Sequence, residues 1–302
     1  MPAILDRGHA LMCWATKSAG TRPVLNRRRL AVADDIIRVL SFGAGVQSST
    51  LLRMMIHGEI EPAQHAVFSD TGWEPRSVYD HMKKMRAEAE AAGIEFHIVS
   101  NGNLREDALN IDHRFASMPV HVVNMKGYPA LGRRQCTSEY KIKPLTAKQR
   151  ELAGLKPGER CKQHRITTII GISWDESQRM KDPLFPWIRN EYPLIDRRLT
   201  RSDCLDWNDR HGYVRPPRSS CIGCPFHSNN EWRAIRENPE DWANAVEFDH
   251  AIRQEPVASR MFEGRAFLHP QRVPLDQVDL RTVEEKGQLN MFEMECEGMC
   301  GL

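Results

Sequence analysis

Ile36-Ile37-Arg38-Val39-Leu40-Ser41, then Phe42-Gly43-Ala44-Gly45-Val46-Gln47, then Ser48-Ser49-Thr50-Leu51-Leu52 is the stretch whose reading decides the fold. An apolar, β-rich run ends in Ser, turns through two glycines and resumes as Ser-Ser-Thr before Leu-Leu. That pattern reads as strand, tight turn and helix start. Such a junction gathers backbone N–H groups and hydroxyls at a helix N-terminus, where anions bind, and the natural anion is a phosphate. The Walker spacing, Gly, four residues, Gly-Lys-Ser/Thr, is absent, so a P-loop ATPase is not supported.

Outward from this stretch, strands and helices alternate. Leu51, Leu52, Met55 and Ile56 recur at helical spacing over 48–57, and Gly58 is placed to stop that helix. His65-Ala66-Val67-Phe68-Ser69 reads as a short buried strand that delivers Asp70-Thr71-Gly72-Trp73-Glu74 to its C-terminal end, where open parallel sheets bind ligands. Pro75 opens a second helix carrying Val78, Met82, Met85 and Ala89; Gly93 closes it, and 94–99 is a third strand. Three strands alternating with two helices predict an α/β fold with a doubly wound, mostly parallel sheet. The uncharged, β-branched run 166–172 predicts a later central strand, opening into Ser173-Trp174-Asp175-Glu176-Ser177-Gln178-Arg179. Between them, 100–134 is broken by Pro119, Gly127, Pro129 and Gly132 and predicts short elements and loops over the active face. A helix is expected from Pro144 to near Gly154.

Beyond Pro193 the chain reads as helices with strong punctuation. Thr200 is placed to cap a helix running to Gly212 with Asp203 in its first turn, and Asn238-Pro239 to open another. Trp232 and Trp242 at helical positions are expected in the core. The organisation expected is an arm over 1–34, a nucleotide-binding α/β domain over 35–195, and a helical region with Cys221-x-x-Cys224 over 196–302.

Composition narrows the classes. Lys and Arg number 42 against 40 Asp and Glu, so charge gives no general case for a nucleic-acid partner; Arg133-Arg134 and Arg197-Arg198 with Arg201 are only local basic spots. No apolar run approaches the roughly 18 residues of a membrane span, and charges interrupt 1–20, so a cytoplasmic protein without membrane contact is expected. Eight cysteines without an export signal argue against a disulfide framework and for metal, cluster or redox use of a subset.

Four segments, in order, resemble the phosphoadenylyl-sulfate (PAPS) reductase-like branch of the adenine nucleotide α-hydrolase, or PP-loop, superfamily. They are the loop at 41–50, Asp70-Thr71-Gly72-x-Glu74, Cys136-Thr137 with Lys141-Ile142-Lys143-Pro144, and Gly171-Ile172-Ser173 through Ser177 and Arg179. The loop is similar to the family's Ser-Phe-Ser-Gly-Gly-Lys-Asp-Ser-Thr at Ser41, Phe42, Gly45 and Ser48; Gly43, Ala44, Val46 and Gln47 depart from it. The resemblance implies a sheet of adenine nucleotide α-hydrolase type binding ATP or a related adenine nucleotide. Ser41, Phe42, Gly43, Gly45, Gln47, Ser48 and Ser49 would hold its phosphates, with Asp70, Thr71, Gly171 and Ser173 beside them. Lys141 and Lys143 can neutralise phosphate oxygens. Asp70 can position Mg2+ or a ribose hydroxyl, or serve as an acid at the start of the helix after Pro75. Gln47 stands where the family's Asp looks like a metal-handling residue, and an amide binds magnesium poorly. Either Asp70 or Asp175 takes over, or ATP is not cleaved by the usual route.

Cys221-x-x-Cys224 follows two prolines and can point both thiols to one place. With Cys136 it resembles the arrangement in iron–sulfur adenylylsulfate reductases, which implies a [4Fe–4S] cluster on Cys136, Cys221 and Cys224. One iron would then be open, or a fourth ligand would come from Cys204, Cys296 or Cys300. A zinc knuckle that includes His227, and redox-active thiols, are the alternatives. The leading expectation is ATP-dependent adenylation of an acceptor followed by sulfur transfer, with a nucleic-acid base or phosphate as candidate acceptor and a sulfur-donor protein as candidate partner. A reductase of PAPS or adenylyl sulfate with Cys296 as nucleophile is the second. A silent nucleotide-binding partner in a homo-oligomer or larger assembly is the third.

Overall fold

A computed structural model describes residues 36–113, 118–261, 264–282 and 285–286; the arm over 1–34 and Cys13, Cys296 and Cys300 lie outside them. Strand β1 (Ile37–Phe42) is flanked by β2 (His65–Asp70), reached through helix α1 (Val46–Ile56). Helix α2 (Arg76–Ala91) leads on to β3 (Glu95–Ser100). The alternation read from the sequence is therefore present, displaced by a residue or two at its ends. Helix α1 starts at Val46 rather than Ser48, because extended Gly45 turns directly into it.

The stretch that gave no clear period holds helix α3 (Leu104–Leu109), capped by the Asn103 side chain, and a hairpin of β4 (His121–Asn124) and β5 (Pro129–Leu131). A π-helical turn over Ser138–Ile142 runs into α4 (Lys143–Leu152). Strand β6 (Ile166–Ile170) follows, fully buried, and β7 (Ile188–Glu191) leads to the short α5 (Pro193–Asp196). Thr200 and Asp203 form a reciprocal capping box on α6 (Arg201–Arg210), and Ser228 with Glu231 forms another on α7 (Asn229–Glu237). Asn238 caps α8 (Pro239–Ala251), and after α9 (Val257–Met261) strand β8 (Gly264–Phe267) returns to pair with β4.

All five strands of the main sheet are parallel, in the order β3-β2-β1-β6-β7. Both faces are covered, as a parallel sheet requires. Leu40, Phe42, Phe68, Phe96 and Ile169 pack under α1, α2 and α6, whereas Val39, Val67 and Ile166 pack under Leu145 of α4 and against Trp187. Each fully buried aromatic or aliphatic side chain stabilises the fold by about 1.5–3 kcal/mol.

The 196–302 region does not stand apart from the sheet. Its α6 lies on α1, where Arg53 reaches Asn208 at 2.6 Å and Glu88 at 3.1 Å. Besides helices it supplies β8 to a three-stranded antiparallel sheet, β5-β4-β8, over a second core of Trp73, Trp232, Phe248, Leu268 and Leu275. Trp232 is fully buried and Trp242 packs against the same core. Asp249 stitches this core: its carboxylate accepts from the backbone N–H of Leu268 and of Leu275 and pairs with Arg253 at 2.7 Å. Among the described residues, no helix is long and apolar enough to cross a membrane.

Candidate functional site

Strand order reverses at β1: β2 leaves to one side, β6 lies on the other, and a crevice opens beyond the C-terminal ends of β1 and β6. Gly171 lets that crevice's floor close up, since a Cβ there would sit 2.9 Å from the Ser48 backbone nitrogen. No side chain caps α1, so its first N–H groups face the crevice, and Ser48 braces the turn by accepting from Gly43 N–H at 3.2 Å. Ala44, where the similar family's loop carries Gly, takes the left-handed conformation at φ 57° and is fully buried. From the far part of the chain, Ser219 comes down on the loop; its Cβ would be 3.1 Å from a Cβ on Gly45.

The walls are cationic. Lys141, Arg179, Arg201 and Arg218 line the cleft with Ser41, Gly43, Gly45, Gln47, Ser48 and Gly171, and Glu176 is the one carboxylate among the lining residues. Arg179 pairs with Glu176 at 2.5 Å, and Gln47 donates to Glu176 at 3.2 Å and to Ser173 at 3.4 Å. Burial raises the Glu176 pKa, and Arg179 opposes that shift. Gln47 thus ties the loop to the turn after β6 instead of handling a metal. Among the described residues the cleft's one lining carboxylate is already bonded twice, and four cations are placed to neutralise an anion.

Lys141 reaches the cleft because of the π turn. Pro144 has no N–H to give to an α-helical ladder, and the widened turn before it carries Tyr140 inward to donate to Asp107 at 2.7 Å. Lys143, two residues on, points elsewhere: it is largely exposed and pairs with Glu139 at 3.5 Å.

A second, smaller cavity adjoins the first, with Lys141 on the wall of both. Cys136, Cys221 and Cys224 line it together with Thr71, Arg134, Leu104, Met118 and Phe226. Gly223 inside the Cys-x-x-Cys turn lies flat on Trp73; a Cβ there would be 2.0 Å from the indole. The loop is further held by Ile222 N–H donating to Trp73 C=O at 2.8 Å. The Cys221 thiol is buried beside Thr71 (3.3 Å) and Glu74 (3.7 Å). Burial, then the Glu74 charge, pushes its pKa up, while Lys141 and Thr71 pull the other way. Glu74 is itself buried, with Oε1 at 3.5 Å from Lys141 and Oε2 without a hydrogen-bond partner among the described residues.

Three thiols around an apolar chamber are a chemically suitable donor set for an iron–sulfur centre. The zinc-knuckle alternative would need His227 as a further ligand. His227 is engaged at both nitrogens, by Cys221 C=O at 2.9 Å and Ser220 at 3.4 Å. Cys204 belongs to the other core, beside Thr50, with its pKa pushed by burial to about 12, and Cys161 lies against Gln163 under the far face of the sheet.

Several expected residues serve neighbouring structure. Ser49 turns to His81 at 2.8 Å, and Phe42, though it lines the cleft, packs its ring between Phe68 and Phe96. Asp70 closes its own turn, accepting from Gly72 N–H and from the Tyr79 hydroxyl, both at 2.8 Å. Thr71 faces the cysteines, and Ser173 is buried as the partner of Gln47. Cys296 lies outside the described residues. Arg218 and Ser219 escaped sequence reasoning; their only signal was the Pro216-Pro217 loop leading into the cysteines.

No protein-family model matches the chain, and no curated protein matches it. Among solved structures it is similar to a phosphoadenylyl-sulfate (PAPS) reductase from Candida auris in its phosphate complex, with 15% identity and a TM-score of 0.37, over 60% of this chain and 74% of that one.

Proposed function

We propose that the protein is an adenine-nucleotide-dependent enzyme of sulfur chemistry, adenylating an acceptor in the cationic cleft and transferring sulfur to it from the adjoining cysteine cavity. The observation that carries this reading is the shared wall: Lys141 borders both an open anion cleft at an uncapped helix start and a chamber of three thiols. The N–H groups of α1 and the side chains of Lys141, Arg179, Arg201 and Arg218 bind and orient the phosphates. As an acceptor oxygen bonds to the α-phosphorus, the bond to pyrophosphate breaks, and these cations stabilise the charge on the leaving group. A reduced-sulfur nucleophile then bonds to the activated atom while AMP departs with the oxygen.

Cys136, Cys221 and Cys224 would hold a [4Fe–4S] cluster, which when bound supplies Lewis-acid binding of sulfide. Glu74 is buried within reach of Cys221 and can take the thiol proton that ligation displaces. Anaerobic purification with iron and labile-sulfide counts, followed by pyrophosphate release from ATP with RNA and DNA acceptors and a sulfide source, tests the proposal. Iron with sulfide, and ATP-derived pyrophosphate with thiolated product, are expected. Stoichiometric zinc without sulfide would remove the cluster, and sulfite released from PAPS would replace the transfer reaction by a reductase.

A further inference from the structure

At the opposite end of the main sheet from the cleft, the first residues of β2 and β3 bring together a group that the proposed reaction does not use. His65 and Glu95 are register partners, and His97 lies one pleat further along β3, so all three project from the same face, the one under α4. His65 Nδ1 and His97 Nε2 approach to 3.1 Å. Glu95 turns one oxygen to each ring, Oε2 at 3.4 Å from His65 Nδ1 and Oε1 at 3.6 Å from His97 Nε2.

We propose that His65, Glu95 and His97 form a binding site for a divalent first-row metal ion of the zinc type, separate from the cysteine cavity. A single hydrogen bond between the rings explains one short separation but not the carboxylate astride both nitrogens, at distances long for good hydrogen bonds. An ion at about 2.0–2.1 Å from each ring nitrogen holds the two nitrogens about 3.3 Å apart, and the carboxylate then supplies the third donor. Two imidazoles with one carboxylate suit zinc and its neighbours better than calcium or magnesium, which take oxygen donors. Both histidine side chains are mostly buried, 17% and 12% exposed, whereas Glu95 is 66% exposed and leaves a coordination position open to water. The nearby charges are Lys148 and Glu151 on α4, paired at 2.7 Å. With Lys148 neutralised by Glu151, Glu95 leaves the surroundings net negative, which favours a dication. The ion would fasten the edge strand β3 to β2.

Cobalt(II) chloride titrated into the full-length protein distinguishes this site from the cysteines, because thiolate-bound cobalt has a near-ultraviolet charge-transfer band and nitrogen- and oxygen-bound cobalt does not. One equivalent without that band is expected. It should disappear in His97→Ala and weaken at least tenfold in Glu95→Gln, whose exposed side chain does not threaten folding. Zinc should raise the Tm of the unaltered chain by more than that of Glu95→Gln. Uptake of cobalt only with the thiolate band, or binding undiminished in both variants, overturns the site.

Discussion

The cationic cleft and the cysteine cavity share Lys141 and differ in nearly everything else. The cleft is the larger, is floored by one contiguous strand–turn–helix stretch, and gathers charge: four cations from later segments and helix N–H groups around a single, already paired carboxylate among the described lining residues. The cavity is smaller, takes its residues from five separate segments, and has mostly apolar walls around one buried and two half-buried thiols. Charge tolerates imprecise placement because it acts over several ångströms. Close packing, such as that of Gly223 on Trp73, does not, because a displaced wall loses contacts. The cavity should therefore answer to packing mutations and the cleft to charge mutations and salt.

The sharpest way to break this contrast is to add one methyl group to each site. Gly223→Ala would drive a Cβ to 2.0 Å from the Trp73 ring, which is itself packed on Phe248 and hydrogen-bonded to Asn244. Nothing there is a flexible side-chain end, so a loss of about 3 kcal/mol or more is expected by urea denaturation, with loss of the iron if the proposed cluster is present. Gly171→Ala meets the Ser48 nitrogen at 2.9 Å, and the start of α1 can shift. Its expected cost is about 1–2 kcal/mol in stability but at least tenfold in nucleotide affinity by calorimetry. Equal stability losses would mean that the cysteine turn is no more tightly packed than the floor of the cleft.

A smaller effect separates the two lysines of one motif. Lys141→Ala removes a cation from the cleft wall and should weaken nucleotide binding about 10–150-fold, the range of one charge-assisted bond of about 1.5–3 kcal/mol. Lys143→Ala removes an exposed partner of Glu139 and should change affinity less than about twofold. Binding should also weaken with added salt in the unaltered protein, and less steeply in Lys141→Ala. Reversed effects would put Lys143 in the cleft and refute the path of the π turn.

Those two lysines also mark what could be read from sequence. The strand, loop and helix over 36–57 were legible because local patterning and the anion site occupy the same residues. The Lys-Ile-Lys-Pro element was legible as basic, but its facing was not, since a π turn breaks the 3.6-residue period that would have assigned it. The second sheet was hidden because β4 and β5 are only four and three residues long and β8 arrives from far along the chain. Local signals were nevertheless there: Asn103 with Glu106 marks a helix start, and Asn124 accepts from Lys126 and Tyr128 N–H at a turn closed by Gly127 at φ 82°. The meeting of Ser219 with Gly45 had no local signal, because it depends on how two cores dock.

The smallest effect concerns Ala44, and it asks whether packing or backbone preference holds the cleft's loop. A left-handed L-residue costs roughly 1–2 kcal/mol, so Ala44→Gly relieves strain at φ 57°. The same change frees the unfolded chain, costing about 0.4–1 kcal/mol, and removes a fully buried methyl worth about 0.8 kcal/mol. These contributions nearly cancel, so the urea midpoint should shift by less than the equivalent of about 1 kcal/mol, with nucleotide affinity unchanged. Ala44→Val has no such compensation, because a β-branched side chain is a genuine outlier at positive φ. It should destabilise by about 2 kcal/mol or more and weaken nucleotide binding as the turn moves. If valine is tolerated as well as glycine, residue 44 is not held left-handed, and the N–H groups of α1 are aimed by something other than this turn.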